Sequence, residues 1–96
     1  MQSSLRDMLK FGRKWERLRV DESGVFIRKI PSSREGPAYL AVEINPIGEN
    51  GIPINKMGII IRNQRELETI REILSKNKVD EVVQEIENVN QPLDKE

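Results

Sequence analysis

The chain has 96 residues and neither cysteine nor histidine, which excludes disulfides, cysteine or histidine metal sites, thiolate nucleophiles and the usual general base at neutral pH. Apolar residues make up 36% and charged residues 33%, so a domain this small has a thin core, burying only about two thirds of its unfolded surface, and dimerisation is a natural source of more buried area. The net charge is zero, yet the basic residues exceed the acidic ones by five from Met1 to Arg34 and fall short by five from Glu35 to Glu96, which makes the N-terminal third a basic surface suited to a polyanion.

Ser3 to Phe11 reads as a short helix, with serine caps, Asp7 in the first turn, apolar Leu5, Met8 and Leu9, and Gly12 as a left-handed stop. It is too short to stand alone. Trp15 to Val20 alternates as a strand, with Trp15, Arg17 and Arg19 on one side and Glu16, Leu18 and Val20 on the other. Asp21 to Gly24 is a turn, Val25 to Ile30 is the next strand with Phe26 in the core, and Pro31 to Pro37 is a polar, mobile loop.

Tyr39 leads into Leu40-Ala41-Val42-Glu43-Ile44, which has the two-residue period of a half-buried strand, and Met57 to Arg62 is an apolar, β-branched run that pairs with it antiparallel. Between them, Asn50-Gly51 signals a type I′ turn, and the two strands extend toward it as a ribbon interrupted by Pro46 and Pro53. Asn63 with Glu66 forms a capping-box pattern at the start of a helix whose buried stripe is Leu67, Ile70, Ile73 and Leu74, with the chain's own sheet as its partner. The phase breaks from Ser75 to Lys78. A second short helix then carries a new stripe of Val79, Val82, Val83, Ile86 and Val89, for which so small a domain has little surface left; a second copy of the chain would cover it.

The expected fold is α+β: a four-stranded antiparallel sheet with a short N-terminal helix and two C-terminal helices packed on one face. Residues 1–90 are read as one nucleic-acid-binding domain and 91–96 as a disordered tail, with fraying from Asn90 onward.

Arg13, Lys14, Trp15, Arg17 and Arg19, with Arg28 and Lys29 on the neighbouring strand, interleave cations with an aromatic ring. Single-strand binders use that combination: charges follow the phosphates while rings stack on unpaired bases, at about 1–3 kcal/mol per stacked base. Tyr39 and Phe11 are lesser candidates of the same kind. For Trp15 a stacking role and a core role both fit. Glu66, Glu68, Glu72, Glu81, Glu85 and Glu87 have helical spacing and read as a solvated face, without the Asp cluster or glycine turn of a metal loop. No nucleophile-and-base pair, P-loop or dinucleotide fingerprint occurs, so neither enzymatic chemistry, a cofactor, a metal nor a small-molecule substrate is expected. No run reaches the length of a bilayer span and the N-terminus lacks a signal-peptide core, which points to the cytoplasm. Abundant Glu, Lys, Arg and Ile without Cys fits a hyperthermophile, against which stand the seven asparagines.

With Leu40 to Ile44, the glycine loop, Lys56-Met57-Gly58-Ile59-Ile60-Ile61-Arg62 and the helix after Asn63 in view, the chain resembles the ThermoDBP group of archaeal single-stranded DNA-binding proteins. More loosely, it is similar to the positive-cofactor-four transcription coactivator family, in which four curved strands precede a dimerising helix. The overlap runs from about Lys14 to about Val89, and its local match is Lys56-Met57-Gly58-Ile59; the N-terminal helix and the second C-terminal helix depart from the coactivator pattern. The resemblance implies sequence-tolerant binding of single-stranded DNA, or RNA, through basic and aromatic residues of the sheet; the uncovered stripe separately points to a homodimer with Val79, Val82, Val83 and Ile86 at its interface. The competing reading is a protein-interaction module of a transcription or replication assembly.

Overall fold

A computed structural model describes residues 2–91. Its elements follow the order α1 (Gln2–Phe11), β1 (Arg17–Arg19), β2 (Val25–Ile30), β3 (Tyr39–Ile44), β4 (Ile59–Ile61), α2 (Gln64–Ser75) and α3 (Lys78–Asn90). The strands form one antiparallel sheet in the order β1-β2-β3-β4, so the α+β arrangement read from the sequence is the observed one. The chain divides after Asn63 into two compact units, the sheet with α1 and the helical pair α2 and α3. The tail assigned to 91–96 lies outside the described residues except for Gln91, which is the extended C-cap of α3; Asn90 is the last residue of that helix rather than part of a frayed end.

Strand pairing sorts the side chains onto two faces, because partners across a ladder point the same way. Arg17 pairs with Arg28, which pairs with Ala41, and Arg19 pairs with Phe26, which pairs with Glu43 and then Ile60. The other face carries Leu18, Ile27, Val42 and Ile61 in one row and Val25, Ile44 and Ile59 in the next. Alternation alone suggests that the apolar parity of β3 is the buried one. The reverse holds: Ala41 and Glu43 are buried while Val42 and Ile44 are exposed.

The ribbon between β3 and β4 explains this inversion. Its tip is a three-residue hairpin loop, with Gly48 N–H donating to Ile52 C=O, Gly51 N–H to Gly48 C=O, and Gly51 at φ 82. Asn50 keeps negative φ, so the expected two-residue type I′ turn is replaced by the turn-plus-left-handed-glycine form, in which only Gly51 needs positive φ. Ile47 bridges Pro53, and Ile54 N–H reaches Pro46 C=O, so the ribbon does continue past the sheet. Arg19 Nη1 donates to Gly51 C=O at 3.3 Å, which places the ribbon tip beside β1. The ribbon thus crosses the Glu43 face from the β3–β4 side to the β1 side.

Gly12 and Trp15 both depart from the pattern read in the sequence. Gly12 ends α1 without left-handed geometry; its N–H still donates to Met8 C=O at 2.8 Å, and a Cβ on it would lie 2.5 Å from that oxygen. Trp15 does not begin β1. It occupies a turn closed by Glu16 N–H donating to Arg13 C=O, and it is the positive-φ non-glycine residue of the described chain, at φ 64. Trp15 N–H donates to Lys29 C=O, and Lys29 N–H donates to Glu16 C=O, so two residues oppose one in a β-bulge. The parity count that put Trp15 beside Arg17 therefore fails by one residue. The loop expected to be mobile between Pro31 and Pro37 holds a tight turn in which Ser33 and Gly36 exchange both backbone hydrogen bonds.

In the helical unit, Leu67 and Ile70 are half-buried, Ile73 and Leu74 are exposed, and neither helix has a buried residue. The second stripe is more open still: Val79 is half-buried, while Val82, Val83, Ile86 and Val89 are exposed. No described helix is long and apolar enough to cross a membrane.

Candidate nucleic-acid interface

The cations singled out in the sequence divide into two groups. Arg17, Arg28 and Lys29 face partners inside the sheet unit, whereas Arg13 and Lys14 are exposed on the turn between α1 and β1.

Glu43 is the reason that Arg17 and Arg28 turn inward. Its side chain has no solvent exposure, and a carboxylate in that position must be paired or it will neutralise. Arg17 Nε and Nη2 donate to its two oxygens at 2.9 and 3.0 Å, a bidentate geometry suited to the guanidinium plane. Asn45 Nδ2 adds a bond at 3.1 Å and Gly58 N–H another at 2.7 Å, and Arg28 Nε stands 3.5 Å away. Burial, the largest single influence, raises the carboxyl's pKa, but the Arg17, Gly58 and Asn45 hydrogen bonds and the Arg28 charge together hold it below the usual range.

The Lys56-Met57-Gly58-Ile59 stretch closes this cluster. Lys56 C=O accepts from Arg17 Nη2 at 3.0 Å and from Arg28 Nη2 at 3.3 Å. Gly58 must be glycine for space: a Cβ would lie 2.1 Å from Ile44 C=O and 2.9 Å from Asn45 Cβ. Asn45, itself fully buried, grips the ribbon from below, with Nδ2 donating to Asn55 C=O and Oδ1 accepting from Asn55 N–H. The guanidinium carbons of Arg17 and Arg19 lie 5.1 and 5.8 Å from the Phe26 ring centroid, so this buried aromatic is packed under cations.

The second group sits on a corner that β2 holds from both sides of the sheet. Arg28 Nη1 donates to Trp15 C=O at 3.0 Å, and the next residue, Lys29, sends its Nζ to Gly12 C=O at 2.8 Å. Successive strand residues point to opposite faces, so two neighbours clamp both ends of the Gly12–Trp15 segment. The Lys29 ammonium also meets the negative end of α1, an interaction of about 0.3–1 kcal/mol at exposed sites and more when partly buried, as here. Phe11, the last residue of α1 just before this segment, is 73% exposed and Trp15, at its end, 44% exposed, with Lys10 Nζ 5.6 Å from the Phe11 ring. Exposed Lys10, Phe11, Arg13, Lys14 and Trp15 therefore alternate rings with charges over six residues of backbone.

Tyr39 opens β3 opposite Ile30, next to the Lys29–Leu40 pair, and so lies at the same end of the sheet as the corner, two strands across from it; it is half-buried and its hydroxyl accepts from Arg62 Nε at 3.1 Å. Arg19, beside the ribbon, donates to Asp21 C=O and Gly51 C=O and pairs with Glu22 at 3.5 Å. Arg19 thus stands at the opposite end of β1 from the corner. Lys10 was missed in the sequence because it falls on the last turn of a helix, and the Glu43 cluster because its members are 26 and 15 positions apart. A charged residue on the same parity as Ala41 in an otherwise apolar strand was the available signal.

Comparison with known proteins supplies no relative: no family model matches the chain, and no curated protein or solved structure matches it.

Proposed function

We propose that the protein binds single-stranded nucleic acid sequence-tolerantly, in the cytoplasm and as a homodimer, with the α1–β1 corner as the primary contact. The observation that supports this reading is the clamped segment together with the end of α1 that leads into it: exposed Phe11 and Trp15 interleaved with exposed Lys10, Arg13 and Lys14. Rings stack on any base and cations follow any backbone, so such a surface favours single strands over duplex with little regard to sequence. Arg28 and Lys29, which sequence reasoning placed against phosphates, serve the same surface by holding it in shape, whereas Arg17, placed there too, is engaged by Glu43 and Lys56 C=O. Second-copy contacts fall to the exposed Val82, Val83 and Ile86 with Val79 at the edge, and a two-fold pair would double the track for a long strand. The test is a salt titration of binding to single-stranded DNA, RNA and duplex DNA. Single strands are expected to bind more tightly than duplex, with affinity falling steeply as salt rises; salt-independent or duplex-preferring binding contradicts the proposal.

One observation favours a second reading, a protein-interaction module of a transcription or replication assembly. Leu18, Val42, Ile44 and Ile59 are all exposed on one face of the sheet, and clustered exposed apolar residues mark interaction surfaces. That reading requires a protein partner bound with little salt dependence and no affinity for oligonucleotides.

A further inference from the structure

A groove of about 350 Å³ runs between α1 and the start of β1, at the small end of ligand-sized clefts, which span roughly 300–1,000 Å³. Buried Met8 and the exposed Phe11 and Leu18 supply its apolar walls, and the carboxylates of Asp7 and Glu16 its polar edge. Asp7, Met8 and Phe11 are at helical spacing and so share one side of α1. Glu16 is fixed in direction, since its Oε1 accepts from Arg13 N–H at 2.8 Å. Gly12 leaves room for it: a Cβ there would stand 3.2 Å from the same oxygen.

We infer that this groove receives one unpaired nucleobase bearing an exocyclic amine, with Phe11 against its ring and the Glu16 or Asp7 carboxylate accepting from the amine. The inference rests on the single-strand binding proposed above and adds a base preference to it. An ionised carboxylate only accepts hydrogen bonds. It pairs with the 4-amino group of cytosine and repels the 4-oxo group of uracil or thymine, so the edge of the groove both selects and rejects. The phosphates on either side of the seated base meet Lys10, Arg13 and Lys14, which adjoin the groove without lining it. These same cations disfavour the other occupant that carboxylates and apolar walls would suit, a cationic peptide.

Affinities of the full chain for oligodeoxycytidine and oligodeoxyuridine of equal length, at one neutral pH and one salt concentration, test this. The two differ at the base edge that faces the carboxylate. Deoxycytidine is expected to bind about tenfold more tightly, the size of one charge-assisted hydrogen bond, and Glu16→Gln combined with Asp7→Asn to bring the ratio close to one. Equal binding of the two oligonucleotides by the native chain overturns the base preference and leaves single-strand binding standing. A preference that survives the double substitution overturns the assignment to this groove. Failure of both oligonucleotides to bind, while a lysine- and leucine-rich peptide does bind, overturns the inference and the single-strand reading together.

Discussion

Arg17 grips the fully buried Glu43 through two hydrogen bonds of 2.9 and 3.0 Å across 26 positions of sequence. Removing one partner of a buried ion pair leaves the other uncompensated, at a cost of about 3–5 kcal/mol. Glu43→Gln should therefore lower the unfolding free energy by about that much in urea titrations. The native carboxyl has a lowered pKa, so the sign of its pH dependence follows: its contribution is complete above the unfolded value of about 4.3 and is lost as pH falls through the lower folded value. The native chain's urea midpoint should drop below about pH 4.3 by more than that of Glu43→Gln; parallel pH profiles would show that this carboxylate is not the titrating group.

Charge reversal separates the two groups of cations. Arg13→Glu with Lys14→Glu should leave the melting temperature close to native, because both side chains are exposed, and should reduce the slope of log affinity against log salt by about 1.4, at about 0.7 per phosphate contact. Arg17→Glu places a second carboxylate against Glu43 and is expected to unfold the sheet unit. A folded Arg17→Glu chain with a reduced slope would move the phosphate path onto β1.

Trp15 stands at φ 64, a conformation that costs an L-residue roughly 1–2 kcal/mol and glycine almost nothing. Trp15→Gly should thus be about 1 kcal/mol more stable than Trp15→Ala, opposite to their order at an ordinary strand position. Both should lose about 1–3 kcal/mol of oligonucleotide binding. Glycine less stable than alanine in urea unfolding would rule out the left-handed turn.

Val83, exposed on α3, tests assembly. Val83→Asp should shift the protein toward monomer in sedimentation velocity and weaken binding to long oligonucleotides more than to short ones. A native chain that sediments as monomer throughout the micromolar range would remove the dimer from the proposal.

The order and type of every element were legible in the sequence because hydrophobic period, turn residues and prolines act locally. Which face of β3 is buried was not legible. Alternation groups Ala41 with Glu43 and Val42 with Ile44, but the choice between the groups is made by the ribbon, through Gly58 N–H and Lys56 C=O contacts set by chain reversal. Trp15 misled for a related reason: a bulge adds one residue, and every parity upstream of it flips. The basic residues were recognised as a set. Their separation into exposed Arg13 and Lys14 and inward Arg17, Arg28 and Lys29 depends on register and on one buried carboxylate, neither of which composition expresses.

Trp15 is the single tryptophan of the chain, so its fluorescence reports on the α1–β1 corner alone. Titration with a single-stranded oligonucleotide of mixed sequence should quench this emission saturably, with an affinity that falls steeply between low and moderate salt, and Arg13→Glu with Lys14→Glu should flatten that dependence. Saturable binding detected by another method while Trp15 emission stays unchanged would contradict the placement of the contact at this corner, and no binding at low salt would contradict nucleic-acid binding itself.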